Sequence, residues 1–415
     1  MSTSPLMPFV RSDVSSRDLR AEAPRDARAP SKRPGRFDWV RKSRWLRTVL
    51  TSLFVLFMLA AAHLFMVAIN AAETAVEAPH PAQGQVARLF GDRPLVEEVE
   101  RALEVADGPA EVAALEGALA AARAGEPVAM RTLPVTPFIA WTAIALCAVG
   151  FGLLWLTSRL ESDTAQTIVG IFAGNLIWTG GIEYGLVIAS RSLGVGKAIG
   201  VVDGQLVAIY GEYVLLKHTW GLLVLVVAYL VFLESSRCSI FLWLRRRIPM
   251  MRGAIVSGRI GNYGPRSAFQ YATICWAFYL LLLWAYDESV FGVYSYFTKG
   301  VLFASVAGTL YYVWRLHQQT GWGPALRYAI AAMVVAWTPV EIVGKWGVLR
   351  QPWLLLEPGT ALFFFGGLAL GTWALFKAHR RRARAGGKCP FHASSPVDDP
   401  AAADADPGPE GAATA

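Results

Sequence analysis

A polar stripe in an apolar stretch is the first place where the sequence offers chemistry. Between Gln166 and Ser190 the chain is largely apolar, and Asn175, Thr179 and Glu183 interrupt it at intervals of four residues. On an α-helix this spacing places the amide, the hydroxyl and the carboxylate on one side of the cylinder. A lipid-facing carboxylate would be costly there, so we expect the stripe to face protein or water. Glu183 is therefore a candidate proton acceptor, cation ligand or catalytic carboxylate, with a hydrogen bond between helices as the structural alternative.

A second polar group lies in a later apolar run. Glu341 and Lys345 are four residues apart and are able to pair on one face of a helix. Pro339, just before them, removes a backbone hydrogen bond and favours a kink. Trp337 and Thr338 complete the group. The pattern predicts either a binding site beside a kinked helix or an ion pair at the membrane interface.

Two further candidates lie between these runs. His218 stands near the start of an apolar run, where a histidine can move protons or bind a metal, but the paired histidine spacing of zinc and iron sites is missing. Asp203 and Gly204 separate two apolar stretches, a pattern typical of a β-hairpin. The sequence thus predicts no metal site and identifies no cofactor. The candidate catalytic residues are Glu183, His218 and Glu341, and the candidate binding residues are Asn175, Thr179, Asp203, Trp337 and Lys345.

The overall composition is that of a polytopic membrane protein. The 415 residues are 54% hydrophobic and only 17% charged, and the mean hydropathy is +0.39. The net charge of +8 does not indicate nucleic-acid binding, because the basic residues cluster beside apolar runs as the positive-inside rule predicts. Four cysteines without close spacing indicate neither a disulfide framework nor a Cys-x-x-Cys metal site.

Eight apolar runs predict eight transmembrane helices. The first covers roughly residues 49–69, and the others lie near residues 137–157, 165–190, 213–233, 268–286, 293–314, 325–343 and 358–378. The sixth of these is the weakest, because Lys299 shortens it. Clusters of Arg and Lys follow the fourth and eighth runs and flank the loop between the sixth and seventh. They fall on the same side as the basic N-terminal segment, so both termini are predicted to be cytoplasmic.

The expected fold is an all-α polytopic integral membrane protein with a small external helical insertion and an external β-hairpin or re-entrant loop. Residues 1–44 are predicted to be a disordered basic tail, residues 45–70 the first transmembrane helix and residues 134–379 a seven-helix bundle. Residues 71–133 form the insertion, with helical patterns at 95–105 and 111–122 separated by Gly108 and Pro109. Residues 380–415 are predicted to be a basic and then acidic disordered tail.

Three functions agree with this pattern. The leading hypothesis is a carrier for a small solute, an ion or a proton-coupled substrate, with Glu183 and Glu341 lining an outward-opening cavity. The alternative is a membrane enzyme that acts on a lipid, isoprenoid or other apolar substrate by carboxylate and histidine acid–base chemistry. The third is an assembly or sensor subunit that binds a protein through residues 71–133. The expected surroundings are the lipid bilayer, most simply a bacterial inner membrane.

Overall fold

The computed structural model describes residues 44–91, 93–232 and 262–384, with the side chains of residues 230–232 and 379–384 excepted. The described chain is mostly helical. Of the predicted tails, 1–44 and 380–415, only residue 44 and residues 380–384 are described, and residues 380–384 continue the last helix. Most of the arginine-rich segment between the fourth and fifth apolar runs, residues 233–261, also lies outside the described residues. The orientation that those basic clusters predict therefore stays a prediction.

Six helices of the described chain are long and apolar enough to cross a membrane: α1 (Arg44–Val76), α4 (Pro137–Thr157), the continuous span Asp163–Leu193, α9 (Tyr263–Tyr286), α11 (Trp322–Lys345) and Pro358–Ala378 of α12 (Pro358–Arg384). A bent pair, α7 (Gly211–Lys217) and α8 (Trp220–Phe232), supplies a seventh if it is taken as one span. The 22-residue helix α10 (Tyr296–His317) is less apolar and is not among the six. The architecture fits an all-α integral membrane protein.

Two of the predicted spans are less regular than the sequence pattern implied. The run at 213–233 is not one straight helix, because α7 and α8 meet at an angle of 49° around His218 and Thr219. The span Asp163–Leu193 is α-helical over α5 (Asp163–Ile177) and α6 (Tyr184–Leu193), and π-helical over Trp178–Glu183 between them. A π turn bonds residue i to residue i+5 and so changes which side chains face each other.

Small residues allow the central helices to approach closely. Gly170 faces the backbone of Gly264 and Gly174 faces that of Ala268, and neither position has room for a Cβ atom. Gly170 and Gly174 are four residues apart on α5, the spacing that brings two membrane helices into backbone contact. α11 packs into the same core, and its Ala329–Ala332 stretch is almost completely buried.

The insertion is more than the predicted helical hairpin. Its helices are α2 (Leu95–Val105) and α3 (Pro109–Arg123), and its strands β1 (Leu89–Phe90) and β2 (Arg131–Thr132) pair in parallel with segments that follow α6. Those segments are β3 (Val195–Gly196), β4 (Ala198–Val202) and β5 (Gln205–Ile209). We call the assembly of residues 86–132 and 195–209 the insertion subdomain. Its core contains Val99 and Leu115 from the helices and Ile199 from the hairpin.

The hairpin itself follows from its turn residues. β4 and β5 are antiparallel, and Val202 pairs with Gln205, so Asp203 and Gly204 form a two-residue turn. Their φ angles are 51° and 71°, and this hand of turn matches the twist of the flanking strands. Aspartate and glycine tolerate that conformation better than other residues.

An ion pair with a buried carboxylate joins the first membrane helix to α6. Arg191 donates to Glu73 at 2.6 Å and 3.0 Å, one bond to each carboxylate oxygen. The hydroxyl of Thr136, the N-cap of α4, donates to the same carboxylate at 2.6 Å. Bidentate arginine–carboxylate pairs of this kind fix the relative orientation of the two side chains as well as balancing their charges. Three membrane helices are thus tied together at this end of the bundle.

Candidate functional site

A cavity of about 130 Å³ lies between α1, the π-helical segment, α9 and α11. It lies near the insertion subdomain, because Tyr286 of its lining also lines a smaller pocket together with Arg93 and Glu98 of that subdomain. Apart from its aromatic residues, its ionisable and polar lining residues are His63, Asn175, Thr179, Glu183, Cys275, Thr338 and Glu341. Most of the remaining lining is aromatic or aliphatic. An apolar cavity with a few converging polar groups is the usual form of a small-molecule site.

The π-helical segment determines how Glu183 is held. Trp178 Nε1 donates to Glu183 Oε1 at 2.9 Å, and the two residues are five apart in sequence. An α-helix has 3.6 residues per turn, which places such a pair on different sides, whereas a π turn brings them together. The Glu183 side chain is largely buried. Its second carboxylate oxygen accepts no hydrogen bond from the described residues and is available to a proton or a ligand.

Glu341 meets a histidine from another helix. Its Oε1 accepts a 2.6 Å hydrogen bond from Trp337 Nε1 and lies 3.7 Å from His63 Nε2. His63 Nδ1 lies 2.9 Å from the carbonyl oxygen of Leu59. A carbonyl only accepts, so Nδ1 carries a hydrogen and the lone pair of a neutral ring would point at the carboxylate. One added proton, on either partner, turns this repulsive contact into an attractive one.

Two buried hydroxyl groups in the lining have no hydrogen-bond partner among the described residues. They belong to Thr179, which is completely buried, and to Tyr286. Asn175, by contrast, accepts a 3.0 Å bond from the Tyr271 hydroxyl. A buried polar group without a partner costs about 1–3 kcal/mol. Both orphaned hydroxyls therefore indicate that a polar ligand or water belongs in the cavity.

The structure gathers five of the eight predicted site residues at this cavity: Asn175, Thr179, Glu183, Trp337 and Glu341. His218 is instead exposed at the break between α7 and α8, where Nδ1 bonds to the Val214 carbonyl at 2.8 Å. Asp203 lies on the exposed hairpin turn and contacts His80 at 2.7 Å. Lys345 is not part of the lining, and Glu341 pairs with His63 and Trp337 in its place.

His63 is the site residue that sequence reasoning missed. It stands alone in an apolar run, Ala61-Ala62-His63-Leu64, and this pattern is typical of a histidine that packs between helices. Its partner Glu341 is far from it in the sequence and lies on a different helix. No local spacing connects two residues that are so far apart, so only helix packing could reveal the contact.

A second pocket of about 20 Å³, which we call the ionic crevice, lies where the insertion subdomain meets the bundle. It shares Leu283 and Tyr286 with the central cavity. Lys217 donates to Asp287 at 2.5 Å, and both side chains are almost fully buried. The charged side chains that line the crevice are those of Arg93, Glu98, Lys197, Lys217, Asp287 and Glu288.

The surroundings of the crevice shift three pKa values in different directions. Burial acts to raise the pKa of Asp287, but hydrogen bonds from Lys217 and Ser289 outweigh it and hold the pKa below its usual value. Burial raises the pKa of Glu98, despite the nearby charges of Arg93 and Lys197. Burial, together with neighbouring cations, lowers the pKa of Lys197. The charge of Asp287 is thus stabilised, whereas those of Glu98 and Lys197 are disfavoured.

No family model, curated protein or solved structure matches the chain. Among the described residues, no three His, Cys, Asp or Glu side chains come together as a metal site requires. The geometry of the central cavity is therefore the basis for inferring the function.

Proposed function

We propose that the chain is an integral membrane carrier that couples the movement of a small solute to protons, with Glu183 and Glu341 as the proton-binding groups. The observation that carries the proposal is that both carboxylates line one cavity inside the bundle, next to His63. Ionisable residues within membrane helices are rare and commonly serve proton or ion pathways. In this proposal the chain has eight spans, both termini are cytoplasmic and the membrane is a bacterial inner membrane.

The coupling follows from the chemistry of the lining. An ionised carboxylate in an apolar cavity needs a positive partner, either a proton or a bound solute. Glu341 has such a partner whenever its contact with His63 carries an extra proton. Among the described residues, Glu183 accepts a hydrogen bond only from the indole N–H of Trp178, which leaves its charge uncompensated. Solute and proton therefore compete for the same carboxylates or arrive together, and either order couples their movement.

Proton flux in vesicles tests the carrier function. The purified full-length chain is reconstituted into liposomes that contain a pH-sensitive dye, and small cationic, anionic and zwitterionic solutes are added outside in turn. At least one solute is expected to cause a pH change that depends on the protein. Glu183→Gln and Glu341→Gln should each reduce that change at least about tenfold, because removal of a charge-compensating group from a buried site is worth more than about 1.4 kcal/mol.

Glu104→Gln is the matched control, since Glu104 is an exposed carboxylate on α2 of the insertion subdomain. It should leave the proton flux unchanged. The carrier function is rejected if no solute causes a protein-dependent pH change, or if both glutamine variants behave as the parent chain does.

One observation favours a second function, a membrane enzyme that acts on an apolar substrate. The His63–Glu341 contact stands beside Trp337 and Phe278, so a potential acid–base pair borders an apolar surface. Lipid extracts from cells with and without the gene distinguish the two functions. A carrier creates no new lipid species, whereas this enzyme would create at least one that disappears with Glu341→Gln.

A further inference from the structure

The ionisable lining of the central cavity is almost entirely acidic. It contains two carboxylates, Glu183 and Glu341, and among the described residues that line it there is no lysine or arginine. His63 is the one basic group, and it already faces Glu341. A low-dielectric site with this charge attracts cations and repels anions. A solute with a positive charge therefore suits the cavity best.

The rest of the lining indicates which kind of cation the cavity suits. Six aromatic side chains border the cavity: Trp178, Tyr271, Phe278, Tyr279, Tyr286 and Trp337. Aromatic faces attract an alkylated ammonium group through their quadrupole, and several such rings around one site are typical of sites for quaternary ammonium ions. Small divalent metal ions prefer a shell of oxygen ligands, which an aromatic wall does not supply. The lining thus suits an organic cation better than a bare metal ion.

The two orphaned hydroxyls add a polar requirement. Thr179 and Tyr286 each present a buried hydroxyl without a hydrogen-bond partner among the described residues. Both residues line the cavity that holds the carboxylates. A solute with only methyl groups would leave them unsatisfied, whereas a hydroxyl or similar group on the solute would provide a partner.

We infer that the solute is a small quaternary ammonium ion with a polar end, an inference about substrate class that rests on the proposed carrier function. Its cationic group lies among the aromatic side chains near the carboxylates, and its polar end bonds to Thr179 or Tyr286. Binding of one positive charge beside Glu183 takes the place of the one proton that otherwise neutralises this carboxylate, and that proton passes to water. The charge of the occupied cavity therefore equals that of the protonated empty cavity.

Choline is the probe that matches this description, and 3,3-dimethyl-1-butanol is its uncharged counterpart of the same shape. Both are titrated into the purified full-length chain in detergent, and binding is followed by calorimetry. Choline is expected to bind at least about tenfold more tightly, because a desolvated cation–π contact alone contributes about 2 kcal/mol. Carrying the titration out in buffers of different ionisation enthalpy should reveal the release of one proton on average for each choline bound.

Two variants, each with a matched control, locate the bound ion. Glu183→Gln should weaken choline binding at least about tenfold and leave the binding of the alcohol almost unchanged, since only the charged ligand loses an ionic partner. Thr179→Val should weaken choline binding several-fold, while Thr179→Ser, which keeps the hydroxyl, should not. Glu104→Gln, on the insertion subdomain, should have no effect on either ligand.

The comparison of choline with the alcohol uses the parent chain alone, so it does not depend on whether a variant folds. If choline and the alcohol bind equally well, or if neither binds, the inference about the substrate class is overturned, even if another solute drives proton flux in vesicles. If choline binds selectively but no solute causes proton flux, the cation site stands and the carrier function fails. The two proposals therefore fail by different results.

Discussion

The central cavity and the ionic crevice lie next to each other and differ in how they treat charge. They share Leu283 and Tyr286, which stand between them. The lining of the crevice balances three cationic side chains with three acidic ones, and Lys217 and Asp287 form a short buried pair. Among the described residues, the central cavity is lined by two carboxylates and only a histidine to compensate them. Charges that are already paired hold structure together, whereas an uncompensated charge is available to a proton or a ligand.

The residues that line the two pockets come from different parts of the fold, and this supports the distinction. The crevice draws its residues from the insertion subdomain, from α7 and from the end of α9, so its ion pairs join separate parts of the fold. The cavity draws its carboxylates from within membrane helices, Glu183 from the end of the π-helical segment and Glu341 from near the C-terminal end of α11. Changes in the crevice should therefore affect stability, and changes in the cavity should affect binding and flux.

The largest effect on stability is expected in the crevice. Lys217→Met leaves Asp287 buried without its cation and should lower the free energy of unfolding by about 3–5 kcal/mol. A double variant with Asp287→Asn should recover much of this loss, because the asparagine carbonyl still accepts the bonds from Ser289 without a buried charge. Thermal denaturation in detergent, followed by circular dichroism, measures both changes.

The matched control for that variant is Arg123→Met. Arg123 pairs with Glu100 at 2.7 Å, but both side chains are about half exposed. Exposed pairs contribute little, so the expected loss is below about 1 kcal/mol. Equal losses in Lys217→Met and Arg123→Met would show that the buried Lys217–Asp287 pair contributes no more to stability than an exposed pair.

The opposite change in stability is expected for Glu183→Gln in the cavity. The glutamine carbonyl can accept the bond from Trp178, and the variant no longer carries an uncompensated carboxylate. Its free energy of unfolding should equal that of the parent chain or exceed it by up to about 1 kcal/mol, as when a functional site is neutralised. A loss comparable with that of Lys217→Met, measured by the same denaturation, would assign Glu183 a structural role.

The smallest effect is a difference in pH dependence within the crevice. The pKa of Asp287 lies below its usual value of 3.8, so its contribution to stability is present above that value and is lost as the pH falls through the folded-state pKa. The pKa of Glu98 is raised above 4.5, so stability falls as the pH rises through the interval above 4.5. Denaturation midpoints recorded across the acidic range test both directions.

Two variants separate these contributions. Asp287→Asn should remove the loss of stability at the acid end, and Glu98→Gln should remove the loss on the neutral side. The assignment is wrong if the pH profile of either variant is the same as that of the parent chain.

Part of the site could be predicted because its cause is local. A charged residue inside an apolar run is recognisable in the sequence alone, and Glu183 and Glu341 were predicted as site residues on this basis. The Asp203–Gly204 turn is equally local, since both residues adopt the left-handed conformation that the turn requires. His218 satisfied the same kind of argument but lies at an exposed helix break, because helix ends do not reveal which direction a side chain faces.

The sequence by itself determined the class of protein, its apolar helices and the carboxylates that those helices carry, because hydrophobic burial and helical period act over short stretches of chain. The tertiary structure decided which of these residues meet. Gly170 and Gly174 allow α5 to approach α9, and the π turn aims Trp178 at Glu183. Helix packing brings His63 to Glu341, and such contacts depend on the fit of distant surfaces, which no local pattern records.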